Sequence, residues 1–147
     1  MDLIIGATGS TGIIYAVRLL EKLKEIPQVK THLIMSKWVI ANLAIETDYT
    51  YDYIKSLATF TYDNDNMAAK IASGSFMNSG MIILPCSMKT LSAISNGYAD
   101  SLISRAADVV LKENRKLVIC PRETPLNAIH LENIWTVKSY KKQIHIF

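Results

Sequence analysis

The chain has 147 residues, half of them hydrophobic and 20% charged, with a mean hydropathy of +0.17. That length makes about one domain, and the composition supplies a real core and excludes a disordered chain. Sixteen Lys and Arg stand against thirteen Asp and Glu, but Lys138, Lys141 and Lys142 fall in an acid-free run over 134–147, so residues 1–133 carry thirteen of each sign.

A neutral body excludes the basic face of a dedicated nucleic-acid binder. No apolar run approaches the roughly 20 residues of a membrane helix, and no basic stretch leads into an apolar signal segment. A cytoplasmic protein with neither a nucleic-acid nor a membrane partner is expected. Cys86 and Cys120 form no Cys-x-x-Cys pair and have no neighbouring His. They read as buried thiols, and no metal is expected.

The chain opens with the apolar run Leu3-Ile4-Ile5, followed by Gly6-Ala7-Thr8-Gly9-Ser10-Thr11-Gly12. Ile13, Val17, Leu20 and Leu23 then recur at helical spacing, with Arg18, Glu21, Lys22 and Lys24 between them. Pro27 closes that helix. Val29 to Met35 alternates as a strand does, and Ser36 stands at a helix N-cap position. Strand, Gly-rich turn, helix, strand and helix make a βαβ opening and imply a parallel sheet.

The middle is harder to read. Tyr49–Ile54 and Ala58–Tyr62 are mixed, and Asp63-Asn64-Asp65-Asn66 is a turn. Met81-Ile82-Ile83-Leu84 reads as a strand covered on both faces and broken by Pro85. Helices are expected over Met88–Ser95, Ser101 to about Glu113, and Leu126–Asn133, with a buried strand Leu117–Cys120 stopped by Pro121. The fold class is thus α/β, a doubly wound parallel sheet in three layers. Such sheets bind ligands beyond the carboxyl ends of their strands.

Each strand end carries chemistry. Gly6-x-x-Gly9-x-x-Gly12 lets backbone N–H groups approach a phosphate, and the helix after it adds a partial positive charge. The spacing is neither Gly-x-Gly-x-x-Gly nor a P-loop, so a tight turn without a ligand stays open at this point. Ser36 and Ser87 serve as N-caps or as ligand contacts. Arg122 and Glu123 lie between Pro121 and Pro125, in a stiffened turn suited to gripping a phosphate and moving a proton; a surface ion pair is the plainer reading. Asp108 and Lys112 are spaced as an exposed helical pair.

Taken in order, seven motifs resemble those of UbiX-like flavin prenyltransferases, a family that includes proteins long labelled as aromatic-acid decarboxylases. They are Gly9-Ser10-Thr11-Gly12, Met35-Ser36-Lys37, Glu46-Thr47-Asp48, Ser73-Gly74-Ser75-Phe76, Pro85-Cys86-Ser87-Met88-Lys89-Thr90, Arg105–Glu113 and Pro121-Arg122-Glu123-Thr124-Pro125-Leu126. The resemblance covers residues 1 to about 133. It implies a Rossmann-like (flavodoxin-like) fold, bound FMN, and assembly into dodecamers built from trimers. It also implies an activity: a dimethylallyl group passes from dimethylallyl phosphate to reduced FMN, and the prenylated FMN goes to a UbiD-type decarboxylase.

Carried over residue by residue, the resemblance places Gly9, Ser10 and Thr11 against FMN at the first loop and Ser36 against the flavin. Ser87, Met88, Lys89 and Thr90 hold more of the cofactor, and Arg122 reaches its phosphate region. Thr11 stands where the family often has Ser. Glu46, Lys112 and Glu123 match positions tied to the prenyl-phosphate site and catalysis, with Thr11 counted among the catalytic residues. Lys112 and Glu46 are expected to reach a neighbouring protomer. Lys112 and Arg122 suit stabilisation of the departing negative charge, and Glu123 or the released phosphate suits removal of a proton.

After Asn133 the resemblance stops, and the Tyr and basic residue that bind the prenyl phosphate in the family have no match. Residues 134–147 are therefore expected to form a divergent basic tail, from a truncated gene or a different reading frame. The sheet would then lack the family's final strand and helix. The alternative function is an FMN-binding flavoprotein without catalytic activity. The related flavin-dependent cysteine decarboxylases fit poorly, because Pro85-Cys86-Ser87-Met88 lacks their Asn, and His32 and His130 lie in a strand and a late helix.

Overall fold

A computed structural model describes residues 1–139 and 144–147. Six strands form one parallel sheet: β1 (Asp2–Ala7), β2 (Lys30–Met35), β3 (Phe60–Asp63), β4 (Met81–Cys86), β5 (Leu117–Pro121) and β6 (Ile144–Ile146). Their order is β3-β2-β1-β4-β5-β6. Setting aside the four-residue edge strand β3 leaves the flavodoxin-like order. The chain reverses its direction of winding between β1 and β4, which opens a crevice beyond their carboxyl ends.

Strand alternation builds a core on each face. Ile5 and Leu33 point to one side and pack with Ile13, Val17 and Leu20 of α1 (Ile13–Lys24). Val39 and Leu43 of α2 (Lys37–Glu46) and Ile54 of α3 (Tyr51–Leu57) complete that layer. Ile4 and Ile34 point to the other side. There they meet Leu91 of α4 (Met88–Ser95), Ile103, Ala106 and Val110 of α5 (Leu102–Lys112), and Val137 of α6 (Ala128–Ser139). Full burial of each large side chain stabilises by about 1.5–3 kcal/mol. Among the described residues no helix is long and apolar enough to cross a membrane.

The elements read from the sequence are present, with differences that have local causes. Pro85 does not end its strand: β4 runs to Cys86, and the ladder to β5 shifts register between Ile83 and Cys86. Proline has no N–H to donate, so it sits where the ladder is irregular. The unclear middle resolves into α3 and β3, with Thr50 Oγ1 accepting from Tyr53 N–H to start α3.

The last helix does not stop at Asn133 but continues to Ser139. Asn133 Oδ1 accepts from Ser95 Oγ of α4 at 2.8 Å, and Val137 is fully buried. Beyond it, Ile144 and Ile146 of β6 pack against the same core. Of the segment expected to diverge, residues 134–139 and 144–147 are thus part of the layered fold. Tyr140, Lys141 and Lys142 lie outside the described residues.

Candidate functional site

The carboxyl ends of the strands are stitched together by backbone groups. Ser36 N–H donates to Ala7 O at 2.9 Å, and Arg122 N–H donates to Cys86 O at 3.0 Å. Thr8, 2% exposed, does the most. Its Oγ1 donates to Pro85 O at 3.0 Å and accepts from Ser87 N–H at 2.7 Å, while its own N–H donates to Pro85 O at 3.1 Å. These bonds fix the β1–α1 loop against the start of α4 across the switch point.

One cavity, of about 290 Å³, lies in this crevice. Gly9, Ser36 and Trp38 border it from the first two strand ends, and Ser87, Lys89 and Thr90 from the β4–α4 turn. Asn64, Ser101 and Ile103 come from the β3 and α5 ends. Two helices begin here. Ser87 Oγ caps α4 by accepting from Thr90 N–H, whereas Ser36 makes no side-chain cap for α2. The first-turn N–H groups of any helix lack intrahelical acceptors and carry partial positive charge. Lys89 adds an ammonium, paired at 3.3 Å with Asp100.

The hydroxyls of Ser10 and Ser36 are buried and have no hydrogen-bond partner among the described residues. A buried polar group without a partner costs about 1–3 kcal/mol, so these two positions are built to be satisfied by something outside the chain. Both are positions that the family resemblance assigns to FMN. The residues present therefore fit a ligand with acceptor or donor edges and an anionic end, as FMN has.

A second cavity, of about 350 Å³, is bordered by Thr11 and by Pro121, Arg122, Glu123 and Thr124. It shares no lining residue with the first, and the Gly9–Gly12 loop touches both. Arg122 Nε donates to Thr11 O at 3.4 Å, and the guanidinium lies 5.6 Å from the Tyr15 ring centroid. Arg122 is exposed, and its terminal nitrogens have no hydrogen-bond partner among the described residues. Glu123 Oε1 accepts from Thr124 N–H at 3.1 Å.

Glu46 sits at the last position of α2, and its Oε2 accepts from Gly12 N–H at 2.7 Å and Ile13 N–H at 3.3 Å. It closes the amino end of α1 with a carboxylate of the same chain. That end is thus not free to hold a phosphate, which the Gly-rich spacing alone had suggested. Gly12 adopts φ 104°, a left-handed conformation that suits glycine.

Met88 is the first residue of α4, between Ser87 and Lys89 at the crevice, and its side chain packs against the core. Lys112, another expected site residue, borders neither cavity. It ends α5, which starts at the crevice and runs about 16 Å back towards the amino ends of the strands. There Lys112 Nζ pairs with Glu113, next to Gly74. The neighbouring ammonium holds the Glu113 carboxyl below the usual carboxylate range. Arg115 donates to Phe76 O at 2.7 Å and Gly74 O at 3.0 Å, fixing the Ser73–Phe76 loop at this end.

Three bordering residues were not singled out from the sequence. Thr8 was hidden inside the Gly-rich run. Trp38 follows two residues that were noted, and its exposure is not encoded in spacing. Asn64 looked like any turn residue, yet its carbonyl and Oδ1 accept from Leu102 N–H at 2.7 Å and Ile103 N–H at 3.2 Å. It thereby brings the α5 terminus to the cavity.

Comparison with known proteins identifies the family. The Flavoprotein family matches residues 1–147. The chain is 54% identical over 142 residues to the flavin prenyltransferase LpdB of Lactiplantibacillus plantarum, covering 97% of this chain and 76% of that one. An alignment of 142 residues extends beyond Asn133, where the motif resemblance ends. The flavin prenyltransferase UbiX of Escherichia coli K12 is 52% identical over 129 residues, covering 88% of this chain and 68% of that one.

Among solved structures, a dodecameric FMN-dependent UbiX-like decarboxylase from Escherichia coli O157:H7 superposes with a TM-score of 0.95 at 51% identity. The match covers 98% of this chain and 78% of that one. AnUbiX in complex with FMN and dimethylallyl pyrophosphate also gives 0.95, at 46% identity over 99% of this chain and 76% of that one. Full-length family coverage and identity above half place the chain in the flavoprotein family, among the UbiX-like flavin prenyltransferases.

Proposed function

We propose that the chain transfers a dimethylallyl group from dimethylallyl phosphate to reduced FMN, and that the prenylated FMN serves a UbiD-type decarboxylase acting on aromatic or phenolic acids. The observation that carries this is the pair of cavities on either side of the Gly9–Gly12 loop, one bordered by Ser36 and the α4 start, the other by Arg122 and Glu123. A two-substrate transfer needs two adjoining sites.

In this reading Gly9, Ser10, Ser36, Ser87, Lys89 and Thr90 hold FMN. The Ser10 and Ser36 hydroxyls gain the partners they lack, and the open N–H groups of α2, with Lys89, attract the anionic end. When bound, reduced FMN supplies the nucleophilic ring that accepts the prenyl group. Arg122, which the resemblance assigns to the FMN phosphate region, borders only the second cavity; in this reading it serves the donor's phosphate instead and stabilises the charge that builds there as the carbon–oxygen bond breaks. Thr11 adds a hydroxyl at the shared loop. Glu123, with Oε2 open, takes the proton released on ring closure. Glu46 acts by holding the Gly12 N–H and so the shape of the loop. Expulsion of water from the cavity protects the allylic cation.

Lys112 stands too far from these cavities to act within its own chain. It acts in a homo-oligomer, from the edge formed by α5 and the Ser73–Phe76 loop. Exposed Ile40 and Ile45 on α2 and Ile129 and Trp135 on α6 are apolar surface that such an assembly would cover.

The test is anaerobic incubation of the purified chain with reduced FMN and dimethylallyl phosphate, followed by mass spectrometry of the released flavin. A mass gain of one prenyl unit is expected. Flavin that stays bound and unmodified would overturn the transfer and leave FMN binding alone.

A further inference from the structure

We propose that the indole of Trp38 is the wall on which the flat ring of the bound flavin rests; this builds on the FMN-binding reading above. Trp38 is the second residue of α2 and is 67% exposed. An exposed Trp leaves a large apolar surface in water, which folding alone does not favour. Its position answers the cost, since it borders the crevice cavity beside Ser36.

The base of the side chain is clamped. Gly9 lies so close to Trp38 that a Cβ there would collide with it. The glycine is required by this approach, and the approach fixes where the indole starts relative to the loop. The lining is otherwise short and mostly polar, apart from Ile103, with the hydroxyls of Ser36, Ser87, Thr90 and Ser101 and the Lys89 ammonium. Trp38 is the one aromatic side chain among these residues. A flat heteroaromatic ligand with polar edges and an anionic tail matches that set: ring on indole, edges to hydroxyls, tail to the helix ends.

The experiment titrates FMN into the full chain and follows both affinity and flavin fluorescence, which a stacked indole quenches by electron donation. In wild type the flavin is expected to bind with its emission strongly quenched. Trp38→Ala should weaken binding about tenfold, a typical worth of one stacked aromatic. Trp38→Phe should keep affinity within about threefold while the bound flavin regains emission. Trp135→Phe, which removes the other Trp, should change neither.

Sedimentation of the apo variants should match wild type. If wild type takes up no FMN, the flavin reading falls and this proposal with it. If wild type binds and Trp38→Ala binds as tightly and quenches as fully, the proposal alone is overturned. It is also overturned if the loss of affinity follows a change in assembly size, because Trp38 would then be an intersubunit contact.

Discussion

Glu46 and Gly12 are joined by a 2.7 Å hydrogen bond that fastens the last residue of α2 to the residue preceding α1. The contact spans 34 residues of sequence and ties the end of α2 to the β1–α1 loop that borders the crevice. It gives the helix N-terminus its anion from within the chain, where nucleotide-binding folds often use a ligand phosphate. The proposed FMN site accordingly offers its phosphate the helix starts of α2 and α4.

Replacing Glu46 removes this anchor. Glu46→Ala should destabilise the fold by about 1 kcal/mol, the usual worth of a charged group capping a helix start. Glu46→Gln, which retains a hydrogen-bond acceptor, should lose less than half of that. Urea unfolding of the three proteins measures the order, and an unchanged midpoint for Glu46→Ala would contradict it.

Thr8→Val tests the stitch between β1 and β4. The substitution preserves volume and removes both hydroxyl bonds, leaving Ser87 N–H without its acceptor. A loss of about 1–3 kcal/mol is expected. FMN affinity should fall with it, because Ser87 no longer holds the α4 start against the loop. Thermal unfolding with and without FMN separates the two effects.

The opposite end of the sheet gives a pH prediction. His32 is fully buried, with Nε2 donating to Asp2 Oδ1 at 2.9 Å and Nδ1 accepting from Tyr62 Oη at 3.0 Å. Its ring stacks on Phe60 and meets Phe76 edge-on. Burial, with help from the Lys70 and Lys30 charges, holds the His32 pKa below 6.5, outweighing the hydrogen bond and charge of Asp2. The unfolded chain therefore binds this proton first. Stability is full above pH 6.5 and falls as the pH drops from there towards the folded pKa.

Asp2 acts in the same direction at lower pH. The hydrogen bond from His32, offset in part by burial, holds its carboxyl below 3.8, so its contribution is present above that value and is lost as the pH falls through the folded pKa. Unfolding midpoints measured from about pH 7.5 to about pH 5 should decline in wild type and stay flatter in His32→Gln. Parallel declines would contradict the assignment to His32.

Much of this architecture was legible in the residues. Ile4 and Ile5 alternate faces, the α1 stripe repeats at three and four, and the polar residues of the loops fall just after apolar runs. Four of the six strands follow from those patterns. β3 did not, because Phe60–Asp63 is short, exposed at the edge and held in place by pairing with β2 rather than by its own composition. The path of α6 beyond Asn133 was also hidden, since its apolar residues face both core and solvent and so show no helical stripe.

The crevice residues were legible where a motif carried them: Gly9, Ser10, Ser36, Ser87, Lys89, Thr90 and Thr11 all border the loop or its cavities or leave an unpartnered hydroxyl there. Glu46 was found by resemblance, while its bond to Gly12 is a tertiary fact that spacing does not express. Thr8, Trp38 and Asn64 matter through contacts made only once the strands align. Lys112 shows the converse, a motif residue that the single chain carries away from the crevice.

FMN and the prenyl donor are proposed to occupy separate cavities divided by the Gly9–Gly12 loop. Arg122→Ala tests this most directly, with FMN affinity measured by titration and transfer measured by the mass of the released flavin. The expected result is an FMN dissociation constant within about threefold of wild type and a transfer rate lower by about 100-fold, the scale for removing one group that stabilises developing charge. Loss of FMN binding in Arg122→Ala, with transfer restored to the wild-type rate at saturating FMN, would contradict it.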